Sequence, residues 1–535
     1  MPGLSAADHT TSPPKIDIPH DYNAAHDLIE RNLQAGRGDK VAFIDDRGTY
    51  TYSEVATRSS AFASVLGDLG LKIEQRILLC LHDTIDFPTV FLGAIRAGVV
   101  PIPVNTLLPQ ADYEYMLSDS RARVAVVSAA LLPLFQPLLG KVPFLERIVV
   151  SGGSDSAAGD SLTALLANAP AASQVAATTS DDVCFWLYSS GSTGSPKGTL
   201  HVHSSLIQTA ELYARPILGI HESDVVFSAA KLFFAYGLGN ALTFPFSVGA
   251  TAVLMAERPT PAAIFSRLRK HRPTIFYAVP TLYATLLASS ELPAAKELNL
   301  RRCTSAGEPL PEEIGKRWTA HFGVDILDGI GSTEMLHIFL SNRPDDLQYG
   351  TTGKPVPGYE VRLVDEKGQL VKQGQTGELQ IAGPTSAIQY WNNRSRTGDT
   401  FQGKWTRSGD KYTLREDGYY VYAGRSDDML KVSGLYVSPT EVEAALISHE
   451  AVLEAAIVAK EDEEKLVKPL AFVVLRPGRT ASPQLAEELK QHVKSRLAPY
   501  KYPRWIEFIA ELPKTATGKI QRFKLRAKVS GSRTG

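Results

Sequence analysis

The chain has 535 residues, too many for one ordinary hydrophobic core, so two or more domains are expected. Its 56 lysine and arginine residues nearly balance 57 aspartate and glutamate residues, so no net charge favours nucleic acid or an anionic membrane as a partner. Three cysteines without CxxC spacing argue against a disulfide framework and a cysteine metal cluster.

The N-terminal residues 1–24 are interpreted as a loose tail. The opening stretch MPGLSAADHTTSPPK has neither the basic segment nor the apolar segment of an export signal. No apolar stretch in the chain reaches membrane-spanning length without a proline or a charge. We therefore expect a soluble cytoplasmic protein, either a monomer or a homodimer.

Between residues 41 and 330, short β-branched runs alternate with longer amphipathic segments, which is typical of βαβ units. Thr51 and Glu54 have the spacing of a capping box at the start of one helix, and Gly70 follows that helix as a stop signal. The apolar runs suit strands that are buried on both faces. The candidate strands are RILLCL (76–81), VVPIPV (99–104), RVAVVS (123–128), DVVFSAA (224–230), ATAVLM (250–255) and TIFYAV (274–279).

From residue 359 onwards the pattern changes. The runs YEVRLVD and GELQIAG are joined by turns without a helix, which predicts a small antiparallel β subdomain. A second domain follows, in which Ser438 and Pro439 have the pattern of a helix N-cap and first helical position. The predicted fold is α/β: an N-terminal domain (25–426) of two βα-layered sheets with the β subdomain, then a mobile α+β domain (427–535).

The stretch YSSGSTGSPKG (188–198) follows the apolar run VCFWLY and is rich in backbone N–H groups, hydroxyls and glycine. Together with Lys197, this composition favours a loop that binds a polyphosphate. A Walker P-loop requires glycine before the lysine and serine or threonine after it, whereas Pro196 and Gly198 stand there. A flexible Gly/Ser linker stays open as an alternative for this stretch alone.

Six motifs, in order, resemble those of the acyl-adenylate-forming superfamily of acyl-CoA synthetases, luciferases and adenylation domains. Besides YSSGSTGSPKG, they are SAGEPL (305–310), DGIGSTE (328–334), RSGD (407–410), GRSDDMLKVSG (424–434) and PKTATGKI (513–520). The resemblance runs from about residue 25 to residue 528. It implies an AMP-forming ligase that uses ATP, Mg²⁺ and coenzyme A.

The resemblance also implies roles for individual residues. Lys519 would bridge the carboxylate and the α-phosphate, with Lys197 and Thr333 on the phosphates and Glu334 on Mg²⁺. Asp410 would accept the ribose hydroxyls beside Arg425, and aliphatic Ile330 would replace an aromatic residue against adenine. The remaining ATP or AMP contacts would be Ser189, Ser190, Gly191, Ser192, Thr193, Gly194, Ala306, Gly307, Glu308, Pro309, Asp328, Gly329, Gly331 and Ser332.

The second step, implied in the same way, is attack of the CoA thiol on the acyl-AMP. The C-terminal domain would rotate about Asp427 between the two steps. Ser433 and Gly434 would line the tunnel for pantetheine. A simple hairpin glycine is the alternative reading of Gly434.

Two segments flank the acyl pocket in the superfamily, KLFFAYGLGN (231–240) and MLHIFL (335–340). Ala235 stands where an amino-acid-activating domain would have an aspartate to pair the substrate ammonium, so amino acids are disfavoured. The expected lining is Phe234, Ala235, Tyr236, Leu238, Ala306, His337 and Ile338. This compact aromatic set suits a flat ring. The two segments, together with LDGIGSTEMLHIF and TLHVHSS, resemble those of benzoate-CoA ligases and make benzoate the leading substrate.

Alternatives stay open. Another aryl or short-chain acid could be the substrate, and the protein could load a carrier protein or bind ligands without turnover. His337 could be an ordinary pocket histidine. The pair His201 and His203 has no evident third metal ligand, which favours a structural role.

Overall fold

The computed structural model describes residues 2–153, 159–170, 174–191, 194–425, 428–432, 435–463, 466–514 and 520–531. Two largely parallel sheets carry the N-terminal part. The smaller, all parallel, has the spatial order Val100–Pro103, Arg76–Cys80, Val124–Ser128, Arg147–Ser151 and Asp160–Ser161. The larger has the order Lys354–Pro355, Ile338–Ser341, Ile326–Gly331, Arg302–Ser305, Ile275–Ala278, Val225–Ser228, Thr251–Val253, Val41–Asp45 and Gly48–Thr51.

Helices cover these sheets, as the alternation of apolar runs predicts. The longest, Tyr52–Asp68, begins with the predicted capping box, because Thr51 Oγ1 accepts from the Glu54 N–H and Glu54 accepts from the Thr51 N–H. The others of this part are Ala24–Gln34, Asp86–Arg96, Gln110–Ser120, Leu132–Phe135, Leu162–Asn168, His203–Thr209, Ala235–Leu238, Phe244–Val248, Pro261–His271, Pro280–Leu287 and Glu312–Phe322, with π-helical turns at Ala210–Leu218 and Gly239–Thr243 and 3₁₀ turns at Ala129–Leu131, Gln136–Leu138 and Ala295–Glu297.

The antiparallel subdomain is present as predicted. Glu360–Val364 pairs with Thr376–Ala382, which pairs with Trp405–Leu414. The last of these also pairs with Phe401–Gln402 and with Tyr420–Arg425. A short helix, Arg394–Thr400, packs beside this sheet.

The C-terminal part is a separate α+β unit. It contains the hairpin Leu430–Val432 with Leu435–Val437, the strands Val452–Glu461, Val467–Leu475 and Trp505–Phe508, the helices Pro439–Ile447, Pro483–Lys494 and Arg522–Gly531, and a 3₁₀ turn at Pro499–Lys501. Ser438 caps the first helix by accepting from the Glu441 N–H, as its sequence predicts. The predicted domain boundary, at residues 426 and 427, lies outside the described residues.

Two expectations are wrong. The N-terminal tail is not loose: Ala6–Asp8 pairs with Lys15–Asp17 in a hairpin, and Ser5 and His9 contact the carboxylates of Asp27 and Glu211. Both carboxylates are almost fully buried, and a buried carboxylate needs a polar partner. The tail supplies two such partners from far along the chain.

The second wrong expectation concerns the stretch 188–198, for which the sequence predicts a phosphate-binding loop. Its residues continue the strand Val183–Gly191 and form the next strand, Gly194–Val202, so that most of the predicted loop is an antiparallel hairpin. Ser189 pairs with Lys197 across this hairpin. Cross-strand hydrogen bonds pair the backbone N–H and C=O groups that a loop would leave without partners.

Candidate active site

Three of the segments singled out in the sequence follow neighbouring strands of the large sheet. The strands Val225–Ser228, Ile275–Ala278, Arg302–Ser305 and Ile326–Gly331 are neighbours and parallel. Their carboxyl ends therefore share an edge, where ligands bind in open α/β sheets. The chain continues from these ends into the segments that begin at Ala229, Ala306 and Ser332.

A close crossing explains the glycine at 331. A Cβ there would lie 2.6 Å from the His337 carbonyl oxygen, a separation that real side chains do not tolerate. The turn that follows contains Leu336 at φ +67°, and the His337 N–H donates to the Met335 carbonyl at 2.8 Å. A leucine at positive φ is a strained conformation. It turns the chain back so that His337 lies beside the end of the strand Ile326–Gly331.

The backbone of Thr333 and Glu334 is held from two sides. His201 Nε2 donates to the Thr333 carbonyl at 2.8 Å, and the Ala387 N–H donates to the Glu334 carbonyl at 2.7 Å. Burial lowers the pKa of His201 to about 4. The imidazole is therefore neutral at physiological pH, with its proton on Nε2, because a carbonyl can only accept.

The Glu334 carboxylate and Lys197 share one aromatic neighbour. The Tyr390 hydroxyl donates to Glu334 Oε1 at 2.7 Å. Lys197 Nζ lies 4.3 Å from the centroid of the same ring, within the range of a cation–π contact. Burial lowers the pKa of Lys197 from its usual value. A half-buried cation and a carboxylate thus face the same space.

Sequence reasoning did not find Tyr390. Gln389–Tyr390 pairs with the second strand of the hairpin, where Tyr390 is opposite Thr199. The two partners are almost two hundred positions apart in the sequence. The only signal was a lone tyrosine in an irregular stretch, which does not distinguish a site residue from a packing residue.

The hairpin presents a polar atom for a ligand. Ser189 Oγ is buried and has no hydrogen-bond partner within the part of the chain that the structure describes. Ser192 and Thr193 lie outside the described residues. The backbones of Ser190, Gly191 and Gly194 belong to the paired strands. An orphaned buried hydroxyl fits an anion such as phosphate.

Two carboxylates mark the expected nucleoside end. Asp410 pairs with Arg425 across adjacent strands, with Oδ1 and Nη1 3.2 Å apart. Burial raises the pKa of Asp328 to about 8, although the Leu310 N–H donates to its Oδ2 and opposes the rise. The structure brings Asp410 and Arg425 together, as their motifs imply. Ile330 is partly buried against the hydrophobic core.

The predicted acyl-pocket residues also come together. His337 lies among aromatic rings, 4.5 Å from Phe244 and 5.5 Å from Tyr236 between centroids. Its Nε2 is 3.3 Å from Asn240 Oδ1, and burial lowers its pKa to about 3. The Tyr236 hydroxyl and Thr304 Oγ1 are 2.5 Å apart. Phe234 and Ala235 are partly buried, whereas Leu238, Ala306 and Ile338 are almost fully buried.

A hydrogen bond joins the C-terminal unit to the segment 305–310. The Ile520 N–H donates to Glu308 Oε1 at 3.2 Å, and Thr281 Oγ1 donates to Oε2 of the same carboxylate at 2.6 Å. Lys519 itself lies outside the described residues, as do Asp427, Ser433 and Gly434. Lys519 precedes Ile520 directly in the sequence.

The histidine pair has structural contacts. Besides the bond of His201 to Thr333, His203 Nδ1 accepts from the Ala24 N–H at 3.1 Å. No cluster of three or more His, Cys, Asp or Glu side chains arranged for a metal ion occurs in the described ranges. These contacts agree with the structural reading of the pair.

Comparison with known proteins identifies the family. The model of the AMP-binding enzyme family matches residues 29–391, and the model of the C-terminal domain of AMP-binding enzymes matches residues 441–519. The chain belongs to the AMP-binding enzyme family. Such an enzyme is expected to hold an adenine nucleotide.

Similar members of this AMP-binding family span nearly the whole chain. A benzoate–CoA ligase of Thauera aromatica is 68% identical over 98% of this chain and 99% of its own length. The crystal structure of a benzoate CoA ligase from Burkholderia xenovorans is 57% identical, with a TM-score of 0.89 over 94% of this chain and all of that one. An anthranilate CoA ligase in complex with anthranoyl-AMP is 42% identical, with a TM-score of 0.93 over 97% and 99%.

As for membranes, none of the helices that the structure describes is both long enough and apolar enough to cross a bilayer.

Proposed function

We propose that this AMP-binding enzyme is an ATP-dependent benzoate–CoA ligase. It converts benzoate, ATP and CoA into benzoyl-CoA, AMP and pyrophosphate through benzoyl-AMP. The observation that carries the proposal is the cluster of aromatic rings around His337, where the ring centroids of Phe244 and Tyr236 lie 4.5 Å and 5.5 Å from that of His337. The high identity to a benzoate–CoA ligase over almost the full length supports it.

A carboxylate must gain a leaving group before a thiol can displace an oxygen from it. AMP provides that group. In the first step, a benzoate oxygen attacks the α-phosphorus of ATP and pyrophosphate leaves. Positioning and charge neutralisation account for most of the catalysis of such a step. Lys197 and Ser189 are suited to the phosphates, because they offer a cation and a buried hydroxyl without a hydrogen-bond partner among the described residues.

The residues present fit Mg²⁺. Mg²⁺ in phosphate sites is commonly bound by one or two carboxylates together with phosphate oxygens and water. Glu334 offers one such carboxylate, fixed by Tyr390. When bound, Mg²⁺ would neutralise phosphate charge.

Asp410 is proposed to accept the ribose hydroxyls and Arg425 to contact the ribose or a phosphate. The pair between them, on adjacent strands, would hold the carboxylate in a fixed orientation. The segments Ala306–Pro309 and Asp328–Ser332 would flank the base and phosphates. Their position at the sheet edge supports this assignment.

The two steps need different partners for the acyl group. Lys519 is proposed to bridge the carboxylate and α-phosphate in the first step. The Ile520–Glu308 bond supports this, because it brings the residue next to Lys519 against the nucleotide segment. Rotation of the domain 427–535 about Asp427 would then withdraw Lys519 and admit CoA past Ser433 and Gly434. The CoA thiol would attack the carbonyl carbon of benzoyl-AMP and release AMP.

The pocket suits a flat uncharged ring. Phe244, Tyr236 and a neutral His337 offer aromatic faces and edges at distances typical of ring packing. Ala235 leaves space without charge, so an ammonium group at this position would be buried without its usual carboxylate partner.

The cytoplasm, where ATP and CoA are available, is the proposed site of action.

The test is a product assay. Purified protein would be incubated with Mg·ATP and benzoate, substituted benzoates, phenylacetate or a medium-chain fatty acid, each with and without CoA. We expect AMP, pyrophosphate and benzoyl-CoA, formed fastest with benzoate. Faster reaction of another acid would overturn the substrate assignment, and ADP as product would overturn the reaction type.

A further inference from the structure

One tyrosine contacts both charged groups of the phosphate end. Tyr390 donates its hydroxyl to Glu334 at 2.7 Å and offers its ring face to Lys197 at 4.3 Å. The ring is itself fixed, being almost fully buried and 5.3 Å from the Phe401 ring. Two opposite charges are thus held by different parts of one rigid side chain.

This arrangement keeps Lys197 and Glu334 from pairing with each other. In the part of the chain that the structure describes, neither residue takes part in an ion pair with a nitrogen–oxygen distance of 4.0 Å or less. Both nevertheless influence each other, since the Glu334 charge opposes the lowering of the Lys197 pKa by burial. A direct ion pair in this half-buried place would satisfy both charges and leave neither available for an incoming polyanion or cation.

We propose that Tyr390 is a positioning residue that separates Lys197 from Glu334 and holds each of them ready for the phosphates and the metal of Mg·ATP. The phenol hydroxyl orients the carboxylate, which keeps its other oxygen toward the metal. The ring face holds the ammonium by a contact weaker than an ion pair. Lys197 can therefore exchange that contact for phosphate oxygens. The proposal rests on the proposed function only in that Mg·ATP is the substrate.

The experiment uses the full-length protein and titrates ATP by calorimetry over a series of Mg²⁺ concentrations, without acid or CoA. Tyr390→Phe removes the hydroxyl and keeps the ring. Tyr390→Leu removes both. Tyr113→Phe is the matched control, because this buried tyrosine, on the helix Gln110–Ser120, also donates its hydroxyl, to the Asn105 carbonyl at 2.8 Å.

For Tyr390→Phe we expect the Mg²⁺ concentration that half-saturates ATP binding to rise about tenfold, since a hydrogen bond to a charged group is lost. ATP affinity at saturating Mg²⁺ should change by less than about twofold, because the ring face still holds Lys197. Tyr390→Leu should weaken ATP binding about tenfold even at saturating Mg²⁺, because Lys197 then pairs with Glu334.

The pH dependence of ATP binding distinguishes the loss of this positioning role from a general packing defect. Pairing with Glu334 raises the pKa of Lys197, so the alkaline loss of ATP binding should move to higher pH in Tyr390→Leu. Tyr113→Phe should lower the melting temperature and leave Mg²⁺ dependence and the pH profile unchanged.

Unchanged Mg²⁺ dependence in Tyr390→Phe would overturn the proposal, and so would a Tyr390→Leu variant that behaves like Tyr390→Phe. If the leucine variant does not fold, the phenylalanine variant alone decides. Wild-type protein that binds Mg·ATP but forms no benzoyl-CoA would refute the substrate assignment and leave this test valid.

Discussion

The proposed phosphate end and the proposed acyl end of the site are built in different ways. At the phosphate end, Lys197, Glu334 and Ser189 have contacts that leave polar capacity unused. At the acyl end, Tyr236 is partly buried and His337 almost fully buried, and they contact Thr304 and Asn240 respectively. The first end therefore suits charged ligands, whereas the second is shaped by ring packing, and we expect it to select a substrate by volume and polarity.

The largest effect is expected for Lys519. Lys519→Ala should slow the formation of benzoyl-AMP by about a hundredfold or more, because a charge that stabilises the transition state is lost. Conversion of supplied benzoyl-AMP to benzoyl-CoA should stay near the wild-type rate. Single-turnover assays of each step measure this. Equal loss in both steps would contradict the division of roles between the two domain orientations.

The acyl end should be sensitive to charge. Ala235→Asp should reduce kcat/KM for benzoate by about a hundredfold, since it introduces a carboxylate without a partner next to the substrate ring. Desolvation raises the pKa of such a carboxyl, so the loss should be smaller at low pH. Ala235→Ser, which adds a small neutral group, is the control. A similar loss in both variants would indicate a steric cause.

We expect the free energy of unfolding to fall at low pH, because three histidines are buried. Burial lowers the pKa of His201 and His203 to about 4 and that of His337 to about 3. In the unfolded chain these groups bind protons near pH 6.5, so the unfolded state binds more protons than the folded state below that pH. Stability is therefore full above pH 6.5 and decreases as pH falls.

Each histidine should lower the free energy of unfolding by about 1 kcal/mol at pH 5.5 relative to pH 7.5. Urea denaturation at the two pH values measures the sum. His203→Gln, at a position away from both ends of the site, should reduce the difference. An unchanged or opposite pH dependence would contradict the burial argument.

The smallest effect is expected at a neutral hydrogen bond. Tyr236→Phe removes the hydroxyl that contacts Thr304 and should destabilise the protein by about 1 kcal/mol. Because the ring remains, kcat/KM for benzoate should change by less than about fivefold. Steady-state assays and thermal unfolding measure both. A loss comparable with that of Ala235→Asp would show that the hydroxyl contacts the substrate directly.

The sequence predicted the main elements well. All six candidate strands between residues 76 and 279 are present, and the capping boxes or caps at Thr51 and Ser438 start the expected helices. These features depend on local patterns, namely apolar runs and capping side chains within four positions. The predicted roles of the ATP and acyl residues stay predictions, supported by their common location.

What local patterns could not show was pairing between distant segments. The stretch predicted to bind phosphate is a hairpin because its two halves pair with each other. The N-terminal tail forms a hairpin and contacts Asp27 and Glu211. Tyr390 reached Glu334 through a strand pairing of residues 199 and 390. None of these leaves a periodic signal in the chain.

The sequence by itself determined the fold class, the family and the chemical types available for the reaction, because these are fixed by local patterns and ordered motifs. Only the tertiary structure decided which groups stand together: His201 on Thr333, Tyr390 between Lys197 and Glu334, and His337 among Phe244 and Tyr236. The physical reason is that hydrogen bonds and ring contacts act over a few ångströms in space. Separation along the chain does not restrict them.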